Sequence, residues 1–181
     1  MLVAITGASG SILGIRFLEE LQKLDIKTEL IISESAEIII KNESDYKIED
    51  VRKLAAKNYK VNDLTASPAS GSYKVDTMVI IPCSMKTLAA IANGYSDNLI
   101  TRVADIMIKE RRKLILVVRE TPLSAIHLEN MLKLSKLGVI IFPPIPSFYY
   151  KPTTIDDLIK HTIGRILDQI GIEIDIKRWG D

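Results

Sequence analysis

The chain has 181 residues, 47% of them hydrophobic, enough for one globular domain with a real core and too few for two comfortable ones. Its 24 basic and 23 acidic residues are spread along the sequence and leave a formal charge of +1, so no broad field exists to attract DNA, RNA or acidic lipid. No apolar stretch approaches the ~20 residues of a membrane span, and Met1 leads straight into a short apolar run rather than a signal peptide, so a cytoplasmic protein without nucleic-acid or membrane partners is expected.

In chain order, residues 2–6 read as a buried strand that enters the glycine-rich turn ITGASGSILG at 5–14. Ile12, Ile15, Leu18, Leu21 and Leu24 then recur at steps of three, the pattern of an amphipathic helix packed on a sheet. A second strand at 27–32 is followed by helical segments at 33–41 and 48–58, then by TASPASGSYK (65–74), where Pro, Ser and Gly forbid regular structure. The strand at 77–82 meets Cys83, the only cysteine. It cannot form an internal disulfide, and with only His127 and His161 present no Cys/His cluster has metal spacing, so no metal is expected. Helices at 86–93 and 99–112, a strand at 114–119, a helix at 124–137 and a strand at 139–142 follow. After the irregular PPIPSFYYKPT (143–153), a last helix at 155–170 begins behind Thr154 with Asp157 three residues on, a variant of the capping box. Buried strands alternating with helices give an α/β fold: a three-layer, Rossmann-like parallel sheet with helices on both faces, in a single domain over 1–181.

In such a sheet the ligand sits beyond the carboxyl ends of the strands, which singles out Gly7 to Gly10, Ser33, Cys83 to Thr87, Arg119 to Thr121 and the Phe148–Tyr150 loop. Gly7, Gly10 and Gly14 are spaced G-x-x-G-x-x-x-G, not G-x-G-x-x-G, and the second strand runs into Ser33 instead of an acidic residue, so a mononucleotide fits better than a dinucleotide. The alternative is purely structural: Gly7 and Gly10 make a tight turn while Ser9 and Ser33 cap helices. PCSMKT offers Ser84, Thr87 and the N–H groups of another helix start as a second place for an anionic or heteroaromatic ligand. Cys83 reads as a small buried apolar residue, since no histidine lies near it in sequence to activate it. Arg119 and Glu120 close the fourth strand, either as solvated charges or as a phosphate fork beside a proton-relay carboxylate. KERR (109–112) ends a helix, where cations are favoured and usually solvated.

Together, TGASG, PCSMKTLAAIANG, KERRKLILVVRETPLS, HLENMLKLS, FYYKP and the terminal RWG resemble, in order and over nearly the whole chain, the UbiX family of flavin prenyltransferases. The resemblance implies a flavodoxin-related domain that binds reduced FMN at subunit interfaces of a dodecamer, joins a dimethylallyl group to its N5 and C6, and hands prenylated FMN to a UbiD-type decarboxylase. It implies FMN binding by Ala8, Ser9, Gly10, Ser33, Ser84, Met85, Lys86, Thr87 and Arg119. It gathers Arg102, Lys109, Tyr149 and Arg165 around dimethylallyl phosphate, makes Glu120 the proton-relay carboxylate and Glu43 a second acid near the substrate, and lines the prenyl pocket with Trp179. Many relatives have Ala at Ser11 and His at Tyr150, so the resemblance gives Tyr150 no role. Physically, an allylic C–O bond breaks most readily with cations on the leaving phosphate and π surface beside the carbocation. Lys109, Arg102, Arg165 and Tyr149 suit the first need and Trp179 the second, while Glu120, aided by Ser9, moves the C6 proton without a metal. A monophosphate donor is therefore expected. The rivals are an FMN-dependent decarboxylase of peptidyl- or pantothenoyl-cysteine type, whose catalytic His near the first helix and Asn-containing loop are not found, and a non-enzymatic flavin carrier.

Overall fold

Short, almost wholly buried apolar runs make the strands: β1 (Leu2–Ile5), β2 (Glu29–Ile32), β4 (Thr77–Cys83) and β5 (Lys113–Val118), joined by β3 (Lys57–Lys60) and β6 (Ile140–Ile141). In this computed structural model, which describes residues 1–180, the strands pair in the order β3-β2-β1-β4-β5-β6, and every pairing is parallel. That is the doubly wound Rossmann order, whose direction of winding reverses between β1 and β4. The chain divides into two compact units, the first ending at Pro143 and the second beginning at Pro144.

In the first unit the parallel sheet is covered on both faces. Leu2, Ala4, Met78, Ile80, Leu114 and Leu116 point into a core shared with Leu88 of α4 (Met85–Ala92), Leu99, Val103 and Met107 of α5 (Leu99–Lys109), and Met131 and Leu134 of α6 (Ala125–Lys136). Ile5 projects the other way, against α1 (Ser11–Lys23). Period-2 alternation along strands buried on both sides thus explains why they read as continuous apolar runs. The remaining helices of this unit are α2 (Glu34–Glu43) and α3 (Ile48–Lys53), and one 3-10 turn, Ser67–Ala69, lies within the irregular 65–74 stretch.

The expected helix over 48–58 is corrected: α3 stops at Lys53, and residues 57–60 form β3 on the sheet edge. The sequence KNYK carries no apolar run because only Tyr59 is buried. The strand forms because β2 offers an open ladder, residue for residue from Glu29 to Ile32. Helix α5 ends at Lys109, short of residue 112, because Arg111 takes a left-handed conformation (φ 54°). The second unit contains α7 (Ile155–Asp168), where Thr154 and Asp157 form the expected capping box. The bonds from Thr153 and Thr154 hold the Asp157 carboxyl down to about 2.

Candidate active site

The reversal between β1 and β4 is locked by one residue that sequence reading took only as a strand end. Thr6, 2% exposed, donates its hydroxyl to the Pro82 carbonyl (2.8 Å) and accepts from the Ser84 N–H (2.9 Å), while its own N–H also reaches Pro82 O at 3.2 Å. It therefore ties the exit of β1 to the exit of β4, beside a register shift between Ile80 and Cys83. A lone Thr closing an apolar strand was the available signal. Behind it, α1 lies so close to β4 that a Cβ on Gly14 would stand 2.4 Å from the Ile81 carbonyl oxygen. Gly10 turns the chain into α1 with φ 89°, a conformation that disfavours side chains. The glycine spacing thus serves a tight strand-to-helix turn and a close helix-to-strand approach.

The amino terminus of α1 is not capped by Ser9. Its first N–H groups face Glu43 at the end of α2: Glu43 Oε2 accepts from Gly10 N (2.9 Å), Ser11 N (3.3 Å) and Ser11 Oγ (3.2 Å). Desolvation works to raise the pKa of this carboxyl, but the bonds from Ser9, Gly10 and Ser11 outweigh it and hold Glu43 below the ordinary value. A negative charge already sits where the helix dipole favours one, so Ser9, Gly10 and Glu43 form one cluster although 33 residues separate Gly10 from Glu43.

Two further helix starts lie at neighbouring strand ends. Ser33 caps α2 by accepting from Ala36 N (3.1 Å), and Ser84 caps α4 by accepting from Thr87 N (3.3 Å). Each serine also has a hydroxyl neighbour, Ser35 Oγ at 3.1 Å and Thr87 Oγ1 at 3.1 Å. Both thus do the capping that the structural alternative assigns them, and both leave first-turn N–H groups aimed beyond the sheet rim. Ala8 is buried and small, Met85 is half-buried, and Lys86 is exposed with Asp97 at 3.6 Å. One strand further, Arg119 N binds Cys83 O (3.1 Å). The Arg119 guanidinium has no hydrogen-bond or ion-pair partner among the described residues, and Glu120 accepts from Thr121 N at 2.9 Å. The pair is exposed but not paired with itself. Burial pushes the Cys83 thiol far above its ordinary value, which leaves it a poor nucleophile, as expected.

Arg102 and Lys109 are brought together elsewhere. Seven residues apart on α5, they share a helix face, Arg102 donating to Ala69 O (3.2 Å) and pairing with Asp105 (3.3 Å), Lys109 pairing with Glu110 (2.8 Å) beside Gly71. Lys109 lies four residues before β5 begins at Lys113, and Glu120 lies two residues after β5 ends at Val118. Six strand residues advance roughly 20 Å, so within one chain these two groups stand at opposite ends of the sheet.

In the second unit, Tyr149 hydrogen-bonds His161 Nε2 at 2.8 Å and meets Trp179 edge-on at 5.4 Å between centroids. Trp179, 82% exposed, borders with Tyr149 an open cavity of about 470 Å³. Arg165 pairs with Asp168 at 2.8 Å.

The family model described as Flavoprotein matches residues 1–168. A curated relative, flavin prenyltransferase UbiX of Methanocaldococcus jannaschii, is 55% identical over 181 residues, covering 99% of this chain and 98% of its own. Among solved structures, AnUbiX in complex with FMN and dimethylallyl pyrophosphate superposes with a TM-score of 0.98 at 50% identity, covering 99% of this chain and 96% of that one. A dodecameric FMN-dependent UbiX-like decarboxylase from Escherichia coli O157:H7 does so at 0.96 and 45%, over the whole of both chains. With its strand order, its rim of helix starts and identity of this extent over its full length, the chain belongs to the Flavoprotein family and, within it, to the UbiX flavin prenyltransferases.

Proposed function

We propose that the chain joins a dimethylallyl group, delivered as its phosphate, to N5 and C6 of reduced FMN, and that the prenylated FMN passes to a UbiD-type decarboxylase in the cytoplasm. The observation that carries this reading is the pair of helix starts at Ser33 and Ser84 flanking the point where the strand order reverses, which suits a ligand with an anionic tail and a flat ring. The donor set fits FMN: the Ala8–Gly10 turn, Ser33, and Ser84 to Thr87 offer hydroxyls and N–H groups, and the unpaired Arg119 guanidinium adds a charge for the phosphate.

Reduced FMN, when bound, supplies electron-rich N5 and C6 atoms to which the five-carbon group is joined. Arg102, Lys109 and Arg165 neutralise the departing phosphate, and Tyr149 donates its hydroxyl to a phosphate oxygen. Trp179 offers π surface to the allylic cation. Glu120, on the carboxyl rim, takes the proton lost from C6, and Ser9 with Glu43, which share one cluster at the start of α1, assist in moving it. Because lysine and arginine supply the neutralising charge, a monophosphate without metal is the donor.

One chain does not gather this set, since β5 separates Lys109 from Glu120. A homo-oligomer in which one copy brings the α5 cations to the rim of another resolves the separation, and the dodecameric neighbour supports it. The test is mass spectrometry of FMN after anaerobic incubation with the protein, a reductant and dimethylallyl phosphate. A five-carbon addition is expected. Unaltered FMN that nevertheless stays bound would make the chain a flavin carrier, and carbon dioxide released from a peptidyl-cysteine would make it a cysteine decarboxylase.

A further inference from the structure

The serine- and glycine-rich stretch 65–74 has no task in the chemistry above, yet its backbone meets the cations of α5. Ala69 O accepts from Arg102 Nε at 3.2 Å. Two residues on, Gly71 stands so near the Lys109–Glu110 pair that a Cβ there would lie 3.2 Å from Lys109 Nζ and 2.8 Å from Glu110 Oε1. Residues 69–71 therefore border both α5 cations assigned to the departing phosphate.

Arg112 is what fixes this strap. The left-handed turn at Arg111 (φ 54°) closes α5, with Arg112 N on Met107 O at 2.8 Å. The Arg112 guanidinium donates from Nη2 to Gly71 O at 2.6 Å and from Nη1 to Tyr73 O at 2.7 Å. A planar fork engaged at two points fixes direction as well as distance, which a lysine ammonium on its flexible stem cannot do. Beyond the fork, the Tyr73 phenol donates to Glu29 at the start of β2, and Glu29 also accepts from Tyr59 at 3.0 Å. The strap is thereby tied to the end of α5 on one side and to the sheet on the other.

We propose that Arg112 is a positioning residue for the allyl transfer: it holds the 69–73 strap, and the strap fixes where Arg102 and Lys109 stand. The inference rests on the placing of the allylic phosphate at those two cations. Arg112 does not itself serve the phosphate, since both of its terminal nitrogens are spent on strap carbonyls. For Arg102, the Ala69 carbonyl on Nε and Asp105 on Nη1 (3.3 Å) together orient the guanidinium plane. For Lys109, paired with Glu110 at 2.8 Å on a long stem, the Gly71 backbone is the wall that limits the ammonium. Positioning and stability separate at this wall. An alanine Cβ at 71 meets only the free ends of two exposed side chains, which swing aside at little cost to the fold, but the swing carries the ammonium out of place.

The test follows five-carbon addition to reduced FMN in anaerobic single turnovers of the oligomeric protein as dimethylallyl phosphate is varied. Arg112→Lys keeps the charge and loses the fork, whereas Gly71→Ala keeps Arg112 and displaces Lys109. Both should raise the half-saturating donor concentration about tenfold, the loss expected when one charge-assisted hydrogen bond is misplaced, and Gly71→Ala should do so with Tm unchanged. Arg111→Met removes a neighbouring exposed cation whose side chain has no partner among the described residues, and it should match wild type. An unchanged half-saturating concentration in Arg112→Lys, with or without a lower maximal rate, would overturn the proposal, because a merely structural loss reduces only the active fraction. A rise in Arg112→Lys without one in Gly71→Ala would put Arg112 on the phosphate itself, and an equal rise in Arg111→Met would make the effect one of net charge; either overturns it. Lys109→Ala separates the two claims. If it prenylates FMN like wild type, the placing of the phosphate fails and the positioning with it, whereas its inactivity together with wild-type behaviour of Arg112→Lys rejects the positioning alone.

Discussion

Replacing Thr6 with Val tests whether the β1–β4 reversal is held by a hydroxyl. Valine keeps the branched shape, so no cavity opens and the change isolates two hydrogen bonds, Thr6 Oγ1 to Pro82 O at 2.8 Å and Ser84 N to Thr6 Oγ1 at 2.9 Å. Pro82 O keeps the Thr6 N–H at 3.2 Å, so its loss is the ordinary net worth of one bond, about 1 kcal/mol. Ser84 N–H keeps no partner, and stranding a half-buried donor costs about 2 kcal/mol more. A total near 3 kcal/mol corresponds to a fall in Tm of about 6–12 °C for a chain of this size. Because Ser84 caps α4, FMN affinity should fall with it. Thermal melts and flavin fluorescence titrations measure both, with Thr6→Ser as the control that keeps the hydroxyl. A Val variant melting within 2 °C of wild type, or a Ser variant falling as far as Val, would refute the clasp.

Glu120→Gln should bind FMN as wild type does yet stall turnover, and wild-type rates in single-turnover assays would reject its proton-relay task. Lys109→Ala and Glu120→Gln, each inactive alone, should regain about a quarter of wild-type activity in mixed oligomers if the two residues serve one site from different copies; no recovery would place them in the same copy. For Glu43, whose folded pKa is depressed, the stabilisation is present above the ordinary carboxyl value of 4.5 and is lost as pH falls through the lower folded value. The Tm of wild type should therefore exceed that of Glu43→Gln at neutral pH, and melting curves should converge below pH 4.5. Gly14→Ala would gain about 1 kcal/mol from helix propensity in the open, but a Cβ 2.4 Å from Ile81 O makes overpacking dominate, and the variant should melt lower than wild type.

Much of this was legible in the sequence because the controlling interactions are local. Strands buried on both faces must be apolar throughout, which exposed β1, β2, β4 and β5, and a serine before a helix caps it, which exposed Ser33 and Ser84. What escaped depends on partners far along the chain. Strand β3 has a single buried side chain and is recruited by the ladder of β2, so no pattern within 57–60 announces it. Glu43 reaches α1 from the far end of α2, and Ser9, adjacent to the helix, was the obvious but wrong cap. His161 carried no motif at all and is meaningful only because the 149–150 turn folds onto its helix.

Lys109 and Glu120 show why closeness in sequence misleads about a site. Eleven positions apart, they flank a strand that carries the chain from one edge of the sheet to the other, so every residue of β5 increases their separation. A parallel sheet makes this general: the helix preceding a strand ends at the sheet's amino edge, and the loop following that strand opens at the carboxyl edge. Cations at the end of α5 therefore cannot serve the rim of their own sheet, however well they suit a phosphate. They can serve the rim of a neighbouring copy. The surface of α6 is consistent with such neighbours, since Ile126, Leu128 and Leu132 stand more than half exposed on one helix, more apolar area than a helix leaves to water without a partner. If the α5 cations and Glu120 serve one site as proposed, dividing them in this way means that neither copy holds the leaving group and the C6 proton acceptor together until the oligomer has formed.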